Sequence, residues 1–152
     1  SWLYQVKKGA TTIWEHWDGL KDDGSMWSAD MNSFNHYAYG AIGEWMYRAM
    51  AGIEADPEHP GFKHAILYPR IGGNLKYTAG KYHSIYGDVG VKWEVQGKQI
   101  TLTVQIPVNT TAEIRLDQAK AVLESDGLTF IREADYMAAE AGSGTYHIAF
   151  EQ

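Results

Sequence analysis

The stretch VGVKWEVQGKQITLTVQI, residues 89 to 106, alternates apolar and other residues along almost its whole length. Val89, Val91, Trp93 and Val95 share one side of an extended chain, Ile100, Leu102, Val104 and Ile106 share one side of the next, and Gly97 lies in the short turn between. A period of two sends successive side chains to opposite faces of a strand, so the stretch predicts a hairpin with one buried face. Trp93, in phase with Val91 and Val95, should point into the core. Pro107 and the NTT run that follows end the hairpin before a third alternating run, Ala112, Ile114 and Leu116. HAILYP (64–69), LKYTAGKYHS (75–84) and TYHIAF (145–150) read as further strands. About six short strands separated by turns predict an antiparallel β-sandwich. EADYMAAEAG, residues 133 to 142, stays open: its Ala and Met content favours helix and its place between strands favours strand.

Upstream the period changes. From Ala29 to about Gly52, Phe34, Tyr37, Ala38, Ala41, Ile42, Trp45 and Ala49 recur at three- and four-residue steps, which predicts a helix. Asn32 or Ser33 is placed to cap it, with Asp30 as another candidate. Gly52 can take the left-handed position past its end, and Pro57 bars continuation. His36, Gly40, Gly43 and Tyr47 form a second stripe on the other side, and only Glu44 and Arg48 are charged between Asn32 and Met50. A helix so poor in charge should be buried on most sides, and its two glycines point to close approach by a neighbouring helix or a ligand. One partner helix is expected near Trp2 to Lys8, so further helices are expected upstream. EADPEHPGFKH (54–64) is the natural boundary, giving domains at 1–56 and 57–152.

Composition narrows the function. The 152 residues carry 13 Lys and Arg against 19 Asp and Glu, a net charge of −6, without a basic cluster in the sequence, which argues against nucleic acid. No run of 18 apolar residues supports membrane insertion, and the opening Ser1-Trp2-Leu3-Tyr4 reads as the start of a piece of a longer chain. The absence of cysteine excludes disulfides, thiolate metal sites and a Cys nucleophile. Six Trp and ten Tyr suit a protein that stacks on sugar rings, although composition alone favours core packing.

No phosphate cradle, dinucleotide fingerprint, hydrolase elbow or zinc-protease motif occurs, and His59 and His64 lack convincing ligand spacing, so neither a metal nor another cofactor is expected. What remains is carboxylate chemistry beside aromatic rings. In GATTIWEHWDG (9–19), Glu15 lies between Trp14 and Trp17 with His16 alongside. A charge among apolar rings is costly unless it is paired or has a task. Asp18, Asp22, Asp23 and Asp30 lie in a polar loop where turn formation accounts for them. Glu15 is therefore the best single candidate for an acid or base.

These residues also carry a resemblance. GATTIWEHWDG, MNSFNHYAYGAIGEWMYRAMAGI (31–53), GFKHAILYPRIGGNLKYTAGKYHSIYGDVGVKWEV (61–95) and IPVNTTAEIRL (106–116) together resemble the C-terminal portion of bacterial α-L-rhamnosidases of glycoside hydrolase family 78. After Leu116 only GSGTYHIAF (142–150) looks typical. The resemblance implies an α+β fragment: the last helices of an (α/α)6 barrel followed by the sandwich. It implies an inverting mechanism with two carboxyl groups about 6.5–9.5 Å apart. Glu15, in the position of the glutamate of the family's TxWE motif, resembles the general base. His36, in SFNHY, resembles a residue that hydrogen-bonds rhamnose hydroxyls, and Trp17 is expected to wall the sugar site. The general acid belongs upstream, outside this chain, so the fragment alone is expected to be inactive. The implied partners are a rhamnose-containing glycoside or polysaccharide and the upstream barrel helices. The alternatives are a carbohydrate-binding module and a purely structural buttress, and the inward phase of Trp93 favours the buttress for the sandwich half.

Overall fold

The computed structural model describes residues 1–152, which divide into two compact units, Ser1–Glu44 and Trp45–Gln152. The first unit is mostly irregular. Its first helix is α1, Trp2–Lys7, at the place of the expected partner helix, and α1 buries Gln5. The Gln5 side-chain oxygen accepts the Trp14 backbone N–H at 3.1 Å, and Trp14 is buried edge-on against Phe34 at 5.0 Å. A buried amide thus takes the place of a backbone partner that a loop residue would otherwise lack.

The helix expected from Ala29 begins only at Tyr37. A 3-10 turn, Tyr37–Gly40, leads into α2, Ala41–Trp45, and then into a π-helical turn, Met46–Ala51. Residues 29 to 36 spend their hydrogen bonds elsewhere. Ser28 Oγ accepts the Asp30 and Met31 N–H groups, Asn32 Oδ1 accepts the Ser28 N–H, Ser33 O accepts the Glu15 N–H, and the His36 N–H reaches Ile13 O. Side chains of Ser and Asn compete with helix formation in this way, and here they win. Neither Asn32, Ser33 nor Asp30 caps the helix; the capping position falls to His36, which is extended and makes no side-chain capping bond. The helix is also not buried on most sides, with Tyr37 93% and Trp45 55% exposed. A Cβ at Gly40 or Gly43 would meet nothing within 4 Å, so no close approach in this chain accounts for them. Gly52 does end the helical run in the left-handed region, at φ 75°.

The second unit is a sandwich. One sheet has the order β1 (Ile53–Ala55), β2 (His64–Leu67), β6 (Thr111–Asp117), β9 (Tyr136–Ala141), β8 (Ile131–Arg132). The other runs β3 (Tyr77–Ser84), β4 (Gly87–Gln96), β5 (Gln99–Ile106), β10 (Gly144–Glu151), β7 (Ala121–Glu124). The predicted hairpin is β4 and β5, closed by Gly97 and Lys98 with Gln96 opposite Gln99. Its buried face is the predicted one, and both sheets contribute to a single core in which Trp93, Leu102, Val104, Ile114, Leu116 and Phe150 are at most 1% exposed. Burying each such side chain contributes about 1.5–3 kcal/mol.

Two expectations are corrected here. The sandwich is not wholly antiparallel: β2 and β6 run parallel, His64 opposite Thr111 through Leu67 opposite Ile114. The long excursion through the other sheet between them supplies the crossover a parallel pair requires. There are ten strands rather than about six, because β1, β7 and β8 are too short to show alternation. EADYMAAEAG resolves as strand β9, its backbone paired with β6 from Tyr136–Asp117 to Ala141–Ala112. The ladder outweighs the helical leaning of its alanines.

Candidate functional site

The site residues expected from sequence all lie in the first unit, where Ile13–Glu15 and Ser33–His36 lie side by side. The Glu15 N–H donates to Ser33 O at 2.9 Å and the His36 N–H donates to Ile13 O at 2.7 Å. Trp14 and Phe34, one from each segment, pack edge-on against each other. The pairing carries Glu15 and His36 on adjoining backbone segments although 21 positions separate them in sequence. Both side chains are partly buried, and each has a polar atom sealed from solvent without a protein partner: Glu15 Oε2 and His36 Nδ1. Buried polar atoms are nearly always satisfied, so two orphans on paired segments mark a place where a polar ligand would be accommodated.

Trp17 is 51% exposed and belongs to a string of rings. It meets Trp2 edge-on at 6.2 Å, Trp2 meets Tyr39 at 6.1 Å, and Tyr39 lies 5.4 Å from the His36 ring. Trp17 and His36 are therefore joined through Trp2 and Tyr39, two residues that sequence reasoning did not assign to the site. Their signal was aromatic content alone, which does not separate site from core. Tyr37 lies nearly parallel to His36 at 6.2 Å. His16 does not join this group: it stacks on Trp27 at 3.6 Å. Lys8 pairs with Asp22 at 2.8 Å and holds that carboxyl below its ordinary value, so Asp22 is committed to an ion pair. No group of three or more His, Cys, Asp or Glu side chains converges as a metal site, and no helix is long and apolar enough to cross a membrane.

Two bonded backbone segments thus carry a partly buried carboxylate and a partly buried imidazole near partly exposed rings, groups able to exchange hydrogen bonds or a proton with a polar molecule. Residues 1–50 match the family described as the bacterial α-L-rhamnosidase six-hairpin glycosidase domain, and residues 52–129 match the bacterial α-L-rhamnosidase C-terminal domain. The chain belongs to the bacterial α-L-rhamnosidase family. An α-L-rhamnosidase of Streptomyces avermitilis is 41% identical over 149 residues, covering 96% of this chain and 14% of that protein. One from Formosa agariphila is 41% identical over 116 residues, covering 76% of this chain and 12% of its own length. The crystal structure of the Streptomyces avermitilis α-L-rhamnosidase complexed with L-rhamnose superimposes with a TM-score of 0.86 at 38% identity, over 98% of this chain and 14% of that one. The rhamnosidase-like chain thus spans only about an eighth of the length of these relatives.

Proposed function

We propose that this chain is the C-terminal part of a glycosidase that releases terminal α-L-rhamnose by an inverting, two-carboxylate mechanism. In this reading residues 1–56 complete an (α/α)6 barrel and residues 57–152 form the sandwich that follows it in the chain, with β1 as the sandwich strand that the linking segment carries. Glu15 is the general base that takes a proton from the attacking water, His36 hydrogen-bonds sugar hydroxyls, and Trp17 walls the pocket against the 6-deoxy methyl group. The general acid comes from the upstream barrel helices, which are the chain's closest partners. The observation that carries the reading is the pair of orphaned atoms, Glu15 Oε2 and His36 Nδ1, on backbone segments bonded to each other. A base that must accept a proton from water needs an open lone pair, and a residue that orients a sugar needs an open ring nitrogen.

Trp93 is held inside the sandwich core, where its indole N–H donates to Met50 O at 2.8 Å. A tryptophan committed in this way is not presented to a sugar, which counts against a carbohydrate-binding module built on it.

The decisive experiment replaces Glu15 by Gln in a chain that carries these residues behind their barrel, with an aryl α-L-rhamnoside as substrate. The substitution keeps shape and removes basicity. We expect kcat to fall by roughly a hundredfold or more with KM little changed. Near-normal turnover would make Glu15 a structural acid and send the search for the base elsewhere.

A further inference from the structure

The sandwich carries a second depression, remote in sequence from Glu15 and His36, at the end of the sheet where β2, β6, β8 and β9 stop. It is an open cleft of about 750 Å³. Arg70, Arg115, Lys120 and Arg132 line it against Asp117 and Asp135. Four of the 13 basic residues of a chain with net charge −6 therefore meet at one concavity. Even with Glu113, which pairs with Arg115 at 2.6 Å from outside the cleft, the cations remain in excess.

The three arginines are held in place. The Arg70 guanidinium lies 3.4 Å over the Tyr68 ring, while its outer side stays open, the side chain being 54% exposed. Tyr68 in turn lies 5.2 Å from Tyr136, and the Arg115 guanidinium stands 5.0 Å from the Tyr136 ring. Asp117, which accepts a hydrogen bond from the Tyr68 hydroxyl at 3.3 Å and faces Arg70 at 3.6 Å, anchors this stack from below. Arg132 is fixed differently: it donates to the carbonyl oxygens of Ala119 and Lys120 at 2.7 and 3.1 Å. Neutral carbonyls orient a guanidinium without cancelling its charge. Arg115 Nε is buried with no partner. Stacked, pre-oriented guanidinium groups recognise planar oxyanions with little entropic loss.

We propose that this cleft is a non-catalytic binding site for a carboxylate-bearing saccharide. Lys120 and Arg132 take the carboxylate, and the flat Arg70–Tyr68 stack supplies a platform for the ring that carries it. The choice of a saccharide to carry the carboxylate rests on the rhamnosidase reading; the attraction for an anion does not. Such a site would hold an acidic polymer against the protein and leave the chemistry to the other unit.

Calorimetric titration of the full chain tests this with three probes: a trigalacturonate, its methyl-esterified counterpart, and inorganic phosphate. We expect saturable binding of the acid, at least about tenfold weaker binding of the ester, and weakening of the acid by added salt. Lys120→Glu and Arg70→Gln, both at exposed positions, should each weaken the acid by about tenfold or more with unchanged circular dichroism. The absence of saturable binding, equal affinity for acid and ester, or indifference to both substitutions would overturn the site. Phosphate binding as tightly as the trimer would overturn the saccharide assignment. Glu15→Gln serves as the control: acid binding lost with that change would place the ligand in the first unit and refute the cleft, whereas failure of the kcat test alone would leave the binding result standing.

Discussion

At Gly52 two separate demands fall on one residue. Its φ of 75° lies in the left-handed region, and a Cβ there would stand 2.0 Å from the Pro69 backbone nitrogen. The first demand costs an L residue about 1–2 kcal/mol, and the second cannot be relieved by turning a side chain because the obstacle is backbone. Gly52→Ala should therefore destabilise the sandwich by more than about 3 kcal/mol in urea or thermal unfolding; a change below about 1 kcal/mol would mean that Pro69 moves aside freely. Trp93 poses the complementary case. Trp93→Phe keeps most of the buried ring but strips Met50 O of its donor, which should cost about 2–4 kcal/mol, part cavity and part unsatisfied carbonyl. The sequence shows the role of Trp93 through its phase with Val91 and Val95. It shows half of the role of Gly52, since the left-handed turn follows from the helix end while the proximity of Pro69 depends on tertiary structure. For Glu15 and His36 the pattern shows still less. Glu15 stands out as an acid between Trp14 and Trp17, but its role as base and the role of His36 rest on family resemblance, and the bonds from residues 13–15 to 33–36 that adjoin them leave no periodic trace.

Among the elements, legibility follows the range of the forces involved. The β4–β5 hairpin is read correctly because its pattern and its turn are local, with Gln96 opposite Gln99 across two residues. The parallel pairing of β2 with β6 joins segments more than 40 residues apart and could not be read from either. Residues 29–36 carry apolar spacing suited to a helix, yet their donors and acceptors are taken by Ser28 and by the Ile13–Glu15 segment. Hydrogen-bond competition is the quantity that periodicity does not measure. The β3–β4 turn offers a test of side-chain electrostatics at the same scale. Asp88 of β4 accepts from the His83 ring at 2.8 Å and pairs with Lys81 at 3.0 Å, both on β3. These bonds, His83 first, hold its carboxyl below the ordinary 3.8. A carboxyl lowered by folding contributes stability above its unfolded value and loses it as pH falls through the folded one. Thermal unfolding of Asp88→Asn should lie below the wild type near neutral pH, and the two curves should converge as pH drops from 3.8 downward. Parallel curves across that range would show that Asp88 contributes through shape alone.

For the molecule as a whole, the two units differ in how completely they bury themselves. The sandwich encloses a continuous core from both sheets, whereas the first unit leaves Leu3 and Val6 each 65% exposed, Met31 68% and Tyr37 93%. Under the proposed function the upstream barrel helices cover these side chains. Gly40 and Gly43, which meet nothing here, fit the same account: a helix arriving on that side would need the room. An inverting glycosidase also divides its chemistry between two carboxyl groups that flank the scissile bond. If Glu15 is the base and the acid stands upstream, these 152 residues hold half of the machinery and an unfinished pocket. The chain by itself should then release no aryl alcohol from an aryl α-L-rhamnoside above the uncatalysed rate, at any pH between 4 and 9, while its sandwich still unfolds cooperatively. Turnover well above background, abolished by Glu15→Gln, would mean that the acid lies within the chain and that the division of labour is wrong. Turnover indifferent to that substitution would remove Glu15 from the chemistry altogether.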